Sequence, residues 1–311
     1  MKDSQHQFQV SINEVGILVV GYNRPELLEK RLLELKNCGA INLYVSIDGG
    51  SESHTRKMEE LKEFANRLFD NIQIQHHKEN LGLVKHITSE ITRVLAIHKY
   101  IIVVEDDIKI SNKFYINVIN GLTQLNKNNV NGVVSGYSPI FRRKFHNYWR
   151  KTHVCYFWGW ACSQETWKFY DYNLINKSLD QGLSKSKAWT KLNSYQKKFW
   201  LSRFQSVQSN PLSTWDYQFI YISFVNNFTN LAPIFSITGN EGFNDPRSVH
   251  NQGIKPKNIK NDHLNEGDLK KIVKNSRLFG IIDMDHYFQG LKIKIKIESK
   301  KLFKSQPLQY P

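Results

Sequence analysis

Cysteine is scarce in this chain of 311 residues, and what there is has no pattern. Cys38, Cys155 and Cys162 are odd in number and lack the paired spacing of a zinc site. A disulfide framework is not expected, and a reducing compartment fits. Long hydrophobic runs are missing as well. The longest, Gly16 to Val20 and Tyr100 to Val104, have the length of strands, far short of the roughly 18 apolar residues of a membrane span. Residues Met1 to Asn13 are polar and carry no apolar signal-peptide core, so the expected location is cytoplasmic, with peripheral contact on the inner face of the membrane. Three phosphate- and dinucleotide-binding signatures are absent: the GxGxxG turn, the GxxxxGK[ST] loop and a GxGTR-like nucleotidyltransferase opening. No RNP motif and no Cys/His finger is present, so a nucleic-acid partner is not expected.

Acidic residues are the minority charge. Lys and Arg number 43 against 28 Asp and Glu, a net charge of +15. Such a field draws anions, either an anionic membrane surface or phosphorylated substrates, or simply solvates the surface.

The first half alternates short apolar runs with helical patterns. Val15 to Val20, Leu43 to Ile47, Ile72 to His76 and Tyr100 to Val104 read as strands. Glu26 to Leu35, Thr55 to Phe69 and Val84 to Ile97 read as helices, with Pro25 in a first-turn position that tolerates proline. This order predicts an α/β fold with a mostly parallel central sheet covered on both faces. Further on, Gly132 to Gly136 reads as a strand and Trp158-Gly159-Trp160 as an aromatic turn. Trp167 to Ser209 reads as largely helical, Trp215 to Phe228 as a helix and Leu231 to Ile237 as a short strand.

In parallel sheets ligands bind at the carboxyl ends of the strands. Three polar clusters follow strand ends here: Tyr22-Asn23-Arg24, Asp48-Gly49-Gly50 and Glu105-Asp106-Asp107. Consecutive carboxylates after a buried strand are tolerable only if cations offset them. Mg²⁺ or Mn²⁺ prefers oxygen ligands, and commonly takes one or two carboxylates together with substrate phosphates.

Taken in order, Gly21-Tyr22-Asn23-Arg24-Pro25, Asp48-Gly49, Asn80-Leu81-Gly82-Leu83, Glu105-Asp106-Asp107, Gly136-Tyr137-Ser138-Pro139, Trp158-Gly159-Trp160, Trp215-Asp216-Tyr217-Gln218 and a late loop reaching His250 resemble bacterial glycosyltransferases of the GT-A fold. Those enzymes are in turn similar to the N-acetylglucosaminyltransferase I group. The resemblance covers roughly residues 14 to 251 and implies a mixed, mostly parallel central sheet flanked by helices. It implies a nucleotide-sugar donor, most often a UDP-sugar, with Mn²⁺ or Mg²⁺ as cofactor. It also implies a glycan or lipid-linked glycan acceptor, and a role in lipopolysaccharide or capsule synthesis. By the same resemblance Tyr22, Asn23 and Arg24 meet the nucleotide, and Asp48 accepts a hydrogen bond from the base. Asp107 binds the metal with His250 completing its shell, Asp106 contacts the ribose or the metal's waters, and Glu105 braces the turn. Asp216 is the base of an inverting transfer.

Read from its neighbours alone, Asp216 is an acid welcome in the first turn of a helix. Lys85 is a candidate for the diphosphate or a solvated helix position, and Trp158 and Trp160 are candidates for stacking on an acceptor sugar or for the core. The expected organisation is a polar segment 1–13, a transferase domain 14–254 and a basic extension 255–311. The domain divides into a nucleotide-sugar half 14–135 and an acceptor half 136–254 with a helical insertion at about 167–210. The Lys/Ile alternation from Lys292 to Ile297 reads as an edge strand or a membrane attachment. The rival reading is a non-catalytic sugar- or nucleotide-binding protein on a degenerate transferase fold.

Overall fold

The computed structural model describes residues 8–50, 52–139, 147–171, 178–247 and 264–273. Four strands build one half of the main sheet: β1 (Val15–Gly21), β2 (Leu43–Ile47), β3 (Ile72–His76) and β4 (Tyr100–Glu105). They pair in parallel, with β1 between β4 and β2, and β3 outermost. Every residue of β2 is buried, and all of β1 up to Val20, as continuous apolar strands covered on two faces should be. The outermost strand β3 alternates instead between half-buried and exposed residues.

The connections are helices: α1 (Pro25–Asn37), α2 (Glu52–Leu68) and α3 (Leu83–Leu95). Alternate strand residues enter opposite faces. Ile17, Val19, Val45, Ile102 and Val104 join α1 and α2 in one apolar cluster, while Leu18, Val20, Ile101 and Val103 join α3 in the other. Each such side chain, fully buried, stabilises the fold by about 1.5–3 kcal/mol.

Beyond β4 the chain forms a short strand β5 (Ile108–Ile110) and a helix α4 (Phe114–Lys127). Three strands follow: β6 (Val133–Ser135), β7 (Tyr148–Thr152) and β8 (Trp160–Ser163). Helices α5 (Gln164–Trp167), α6 (Leu179–Ser184), α7 (Lys187–Thr190), α8 (Ser194–Ser209) and α9 (Asp216–Val225) come next, then β9 (Asn230–Pro233), β10 (Thr238–Asn240) and β11 (Lys271–Val273). The nine-stranded sheet runs β11-β7-β9-β6-β8-β4-β1-β2-β3, and β5 pairs separately with β10. Strand β8 is antiparallel to both neighbours, β4 and β6, so it reverses direction in a mostly parallel sheet. The architecture is an α/β fold with a mixed, mostly parallel sheet flanked by helices, and the alternation of elements marked its parallel half.

Several local expectations change. The aromatic turn ends as β8: Trp160 is a sheet residue paired with Val103 and Ser135. The stretch from Leu231 to Ile237 is not one strand: β9 ends at Pro233, and the next strand, β10, begins at Thr238. The described residues of the 167–210 region divide among short helices and α8, which is capped by a reciprocal Asn193–Gln196 box. Residues 264–273 fall in the stretch expected to be a basic extension, yet they are built into the fold. Leu269 is buried and its amide donates to Asn117 Oδ1 at 2.7 Å, and β11 pairs with β7. The Lys292 to Ile297 alternation lies outside the described residues. Among the described residues no helix is long and apolar enough to cross a membrane.

Candidate functional site

Register brings the three polar clusters together. Gly21 pairs with Ile47 and Val20 with Glu105, so β1, β2 and β4 end side by side. The ends are then tied: the Asp48 amide donates to the Gly21 carbonyl at 3.1 Å, and the Asp106 amide to the Val20 carbonyl at 3.0 Å. These strand ends and the start of α3 enclose a cleft of about 340 Å³. Tyr22, Asn23, Arg24, Asp48, Glu105, Asp106 and Asp107 all line it, joined by Asn80, Gly82, His86 and Arg247.

Arg24 is the electrostatic centre. Its Nε donates to Asp106 Oδ2 at 3.1 Å, Nη2 donates to Asp106 Oδ1, and Nη1 reaches Asp107 Oδ2 at 3.2 Å. One guanidinium thus holds two buried carboxylates in a bidentate-plus-one arrangement. It does not balance them. Burial, then repulsion from Asp107, pushes Asp106 up to about 6 despite Arg24. Burial also raises Asp107 against the pull of Arg24. Glu105 is raised further, by burial first and then by Asp107, Asp106 and Asp216. Asp106 and Asp107 share the one guanidinium of Arg24, so the pair keeps an excess of negative charge in a partly dehydrated pocket. These hard oxygen donors and that charge excess fit Mg²⁺ or Mn²⁺, which uses few protein carboxylates when phosphates supply the rest. Among the described residues no group of three His, Cys, Asp or Glu side chains surrounds one metal position, so the Asp106–Asp107 pair would carry the protein's share. His250 lies outside the described residues.

Asp48 is a structural clasp as well as a lining residue. Its Oδ1 accepts the amides of Gly49 and Leu81 at 2.9 and 2.8 Å, and Oδ2 accepts the amide of Gly82 at 3.1 Å. The carboxylate therefore fixes the turn that opens α3 against the end of β2. Lys85, one turn on, is exposed and does not line the cleft; the residue that does is the next one, His86. His86 is buried, with Nε2 2.8 Å from Ser46 Oγ, and burial holds it down at about 4 despite Asp48. It is therefore neutral near pH 7. The helix period accounts for the exchange: moving one position turns the side chain about 100° from solvent to the cleft.

Asp216 opens α9, as the helix-start pattern expects, and it is not among the residues that line the cleft. Its Oδ1 accepts the Thr214 hydroxyl and the Tyr217 amide, the latter at 2.8 Å. Its charge is among the influences that raise Glu105, Tyr170 and Tyr217, so it acts on the carboxylate cluster and on its aromatic neighbours alike. Trp160 is a correction to the acceptor-contact expectation. It is fully buried, with ring centroids 5.4 Å from Trp215 and 5.3 Å from Phe157, and it forms the core behind Asp216. Trp158 is only partly buried, 4.4 Å from Tyr137 and 5.7 Å from Phe243.

The loop after β10 supplies residues that the sequence patterns do not mark. The Glu241 amide donates to the Asp107 carbonyl at 2.8 Å, and Gly242 packs on the Asp107 carboxylate. Arg31, buried in α1, links Glu34 and Glu241 at 3.1 and 3.0 Å. Arg247 bonds Asp245 and Glu26 and reaches the Asn23 carbonyl at 3.4 Å. Nothing in the sequence from Thr238 to Asn240 announces the pairing of β10 with β5 beside the acidic turn.

No family model and no curated protein matches this chain. Among solved structures it is similar to a mannosyltransferase from Pyrobaculum calidifontis in complex with GDP-Man and Mn²⁺, at 14% identity and a TM-score of 0.37. That overlap covers 49% of this chain and 45% of the other, so the chain spans less than half of that relative's length. It is also similar to a UDP-glucose pyrophosphorylase complexed with UDP-glucose, at 8% identity and a TM-score of 0.35, over 71% of this chain and 91% of the other. With TM-scores below 0.5, neither likeness assigns a family or an activity to this chain.

Proposed function

We propose that this chain is a glycosyltransferase of the GT-A type, moving a sugar from a nucleotide-sugar, most simply a UDP-sugar, to a hydroxyl of a glycan or lipid-linked glycan. The observation that carries the reading is the Arg24–Asp106–Asp107 cluster at the shared edge of β1, β2 and β4, inside a cleft of nucleotide size. A buried acidic pair with surplus negative charge is costly to maintain, and a divalent cation with a diphosphate is the natural counterpart.

In this reading Tyr22, Asn23 and Asp48 face the nucleotide from the strand ends. Asp107 and Asp106 hold Mg²⁺ or Mn²⁺, while Arg24 limits the repulsion between them. When bound, the metal offsets charge on the departing diphosphate. Asp216 takes the proton of the acceptor hydroxyl as its oxygen attacks the anomeric carbon. The bond from that carbon to the diphosphate breaks, and the nucleoside diphosphate leaves with the electron pair. Trp158 borders the acceptor side. The excess of lysine suits an acceptor presented at an anionic membrane surface.

Calorimetric titration with UDP, GDP, CDP and dTDP, each with and without Mn²⁺, tests the proposal. Metal-dependent binding of one nucleotide, abolished in Asp107→Ala, is the expected result. Metal-independent binding, or identical titrations of wild type and Asp107→Ala, would remove the transferase reading and leave a binding protein on the same fold.

A further inference from the structure

Three basic side chains line the cleft: Arg24, His86 and Arg247. Arg24 is committed, its Nε, Nη1 and Nη2 all turned to Asp106 and Asp107. His86 is buried against Ser46. Arg247 differs in kind. Its side chain is 41% exposed: Nε and Nη2 hold Asp245, 12% exposed, at 3.0 and 2.8 Å, while the outer edge of the fork, Nη1 and Nη2, meets only the Asn23 carbonyl and the carboxylate of Glu26, 49% exposed. Exposed ion pairs contribute little and exchange readily. An arginine fork also matches phosphate oxygens bidentately.

Resting on the transferase reading, we propose that Arg247 receives the diphosphate of the donor, giving up Glu26 for phosphate oxygens and so drawing the 241–247 loop onto the nucleotide. The placement favours this exchange. Arg247 Nη1 is 3.4 Å from the carbonyl of Asn23, the residue preceding Arg24, so the fork already sits at the mouth of the β1 turn. The same loop is anchored at its other end on Asp107 through the Glu241 amide and on α1 through Arg31. A phosphate held by Arg247 would therefore lie between the arginine and the acidic pair. Glu26 acts as a placeholder that competes with the ligand.

The roles can be separated by sign. UDP, GDP and inorganic pyrophosphate, each with Mn²⁺, are titrated into wild type, Arg247→Ala and Glu26→Gln. The expected result is binding weakened about 10- to 100-fold in Arg247→Ala and strengthened a few-fold in Glu26→Gln, because the competitor is gone. If the ion pair only braces the loop, both variants weaken binding, and the proposal falls. Wild-type affinity in Arg247→Ala also overturns it while leaving the transferase reading standing. Failure of the wild type to bind any of the three probes overturns the transferase reading and this inference with it.

Discussion

Gly242 lies against the carboxylate of Asp107 so closely that a β-carbon at position 242 would come within 2.3 Å of Oδ2. The atom in the way is the tip of a side chain, which can swing aside more cheaply than backbone. Asp107 is held by Arg24, however, so the swing would cost the arrangement of the acidic pair.

Gly242→Ala is therefore expected to fold, with a loss of stability under about 2 kcal/mol. The Mn²⁺-dependent part of its nucleotide binding should fall by about tenfold or more. Urea denaturation and calorimetry on the same preparation check the two halves. A variant that unfolds, or one that binds as wild type, contradicts the geometry.

Asp216→Asn keeps an oxygen in place of Oδ1 for the Thr214 hydroxyl and the Tyr217 amide. The start of α9 should survive and nucleotide affinity should stay within about twofold. Turnover should drop by at least about 100-fold, as loss of a general base implies. Release of nucleoside diphosphate in the presence of acceptor measures it; retained turnover would send the search to another carboxylate.

Asp48→Asn replaces an acceptor of three backbone amides with a group that turns an NH₂ toward at least one of them. A loss of about 1–3 kcal/mol is expected, read from the urea midpoint. Nucleotide binding should weaken too, because the turn opening α3 walls the cleft. Unchanged stability would mean the turn holds itself.

His86 is held near 4 by burial, whereas an unfolded chain takes up the proton near 6.5. Its contribution to stability is intact above about pH 6.5 and is lost as pH falls from there toward 4, by about 3 kcal/mol at most. The raised acids Glu105 and Asp106 work in the opposite direction, gaining protons in the native state as pH falls. Comparison with His86→Asn isolates the histidine. The wild type should lose stability relative to the variant between pH 6.5 and 4, and parallel curves would contradict the burial of this ring.

The strands of the first half were legible because burial on both faces writes itself as uninterrupted apolar runs: Leu43 to Ile47 begins and ends as read. Asp48 and the Glu105–Asp107 turn were legible because a buried strand that runs straight into carboxylates must meet them with amides or cations at the sheet edge. Helix α4 was not. Its Ile, Val, Asn and Gly residues favour helix poorly, and it is held by packing: Gly121 lets the helix approach Val134 and Trp149 closer than any side chain would permit. Trp160 stayed open between an acceptor contact and the core because an aromatic pair flanking a glycine looks alike in a binding loop and in a strand entering the core. Arg247 and Gly242 escaped because their importance comes from the pairing of Asn240 with Ile108, two residues far apart in sequence, which leaves no local trace.

The thiols of Cys155 and Cys162 are sealed in the sheet region, with Cys155 pushed up to about 12 and Cys162 higher still by burial. Neither forms thiolate at ordinary pH while the fold is closed. Alkylation at these two positions is thus gated by structural opening, so the labelling rate at Cys162 is an intrinsic clock for excursions of β8 out of the native state. A nucleotide that tightens the neighbouring strand ends would slow that clock, registering occupancy from inside the protein without any added probe on the site.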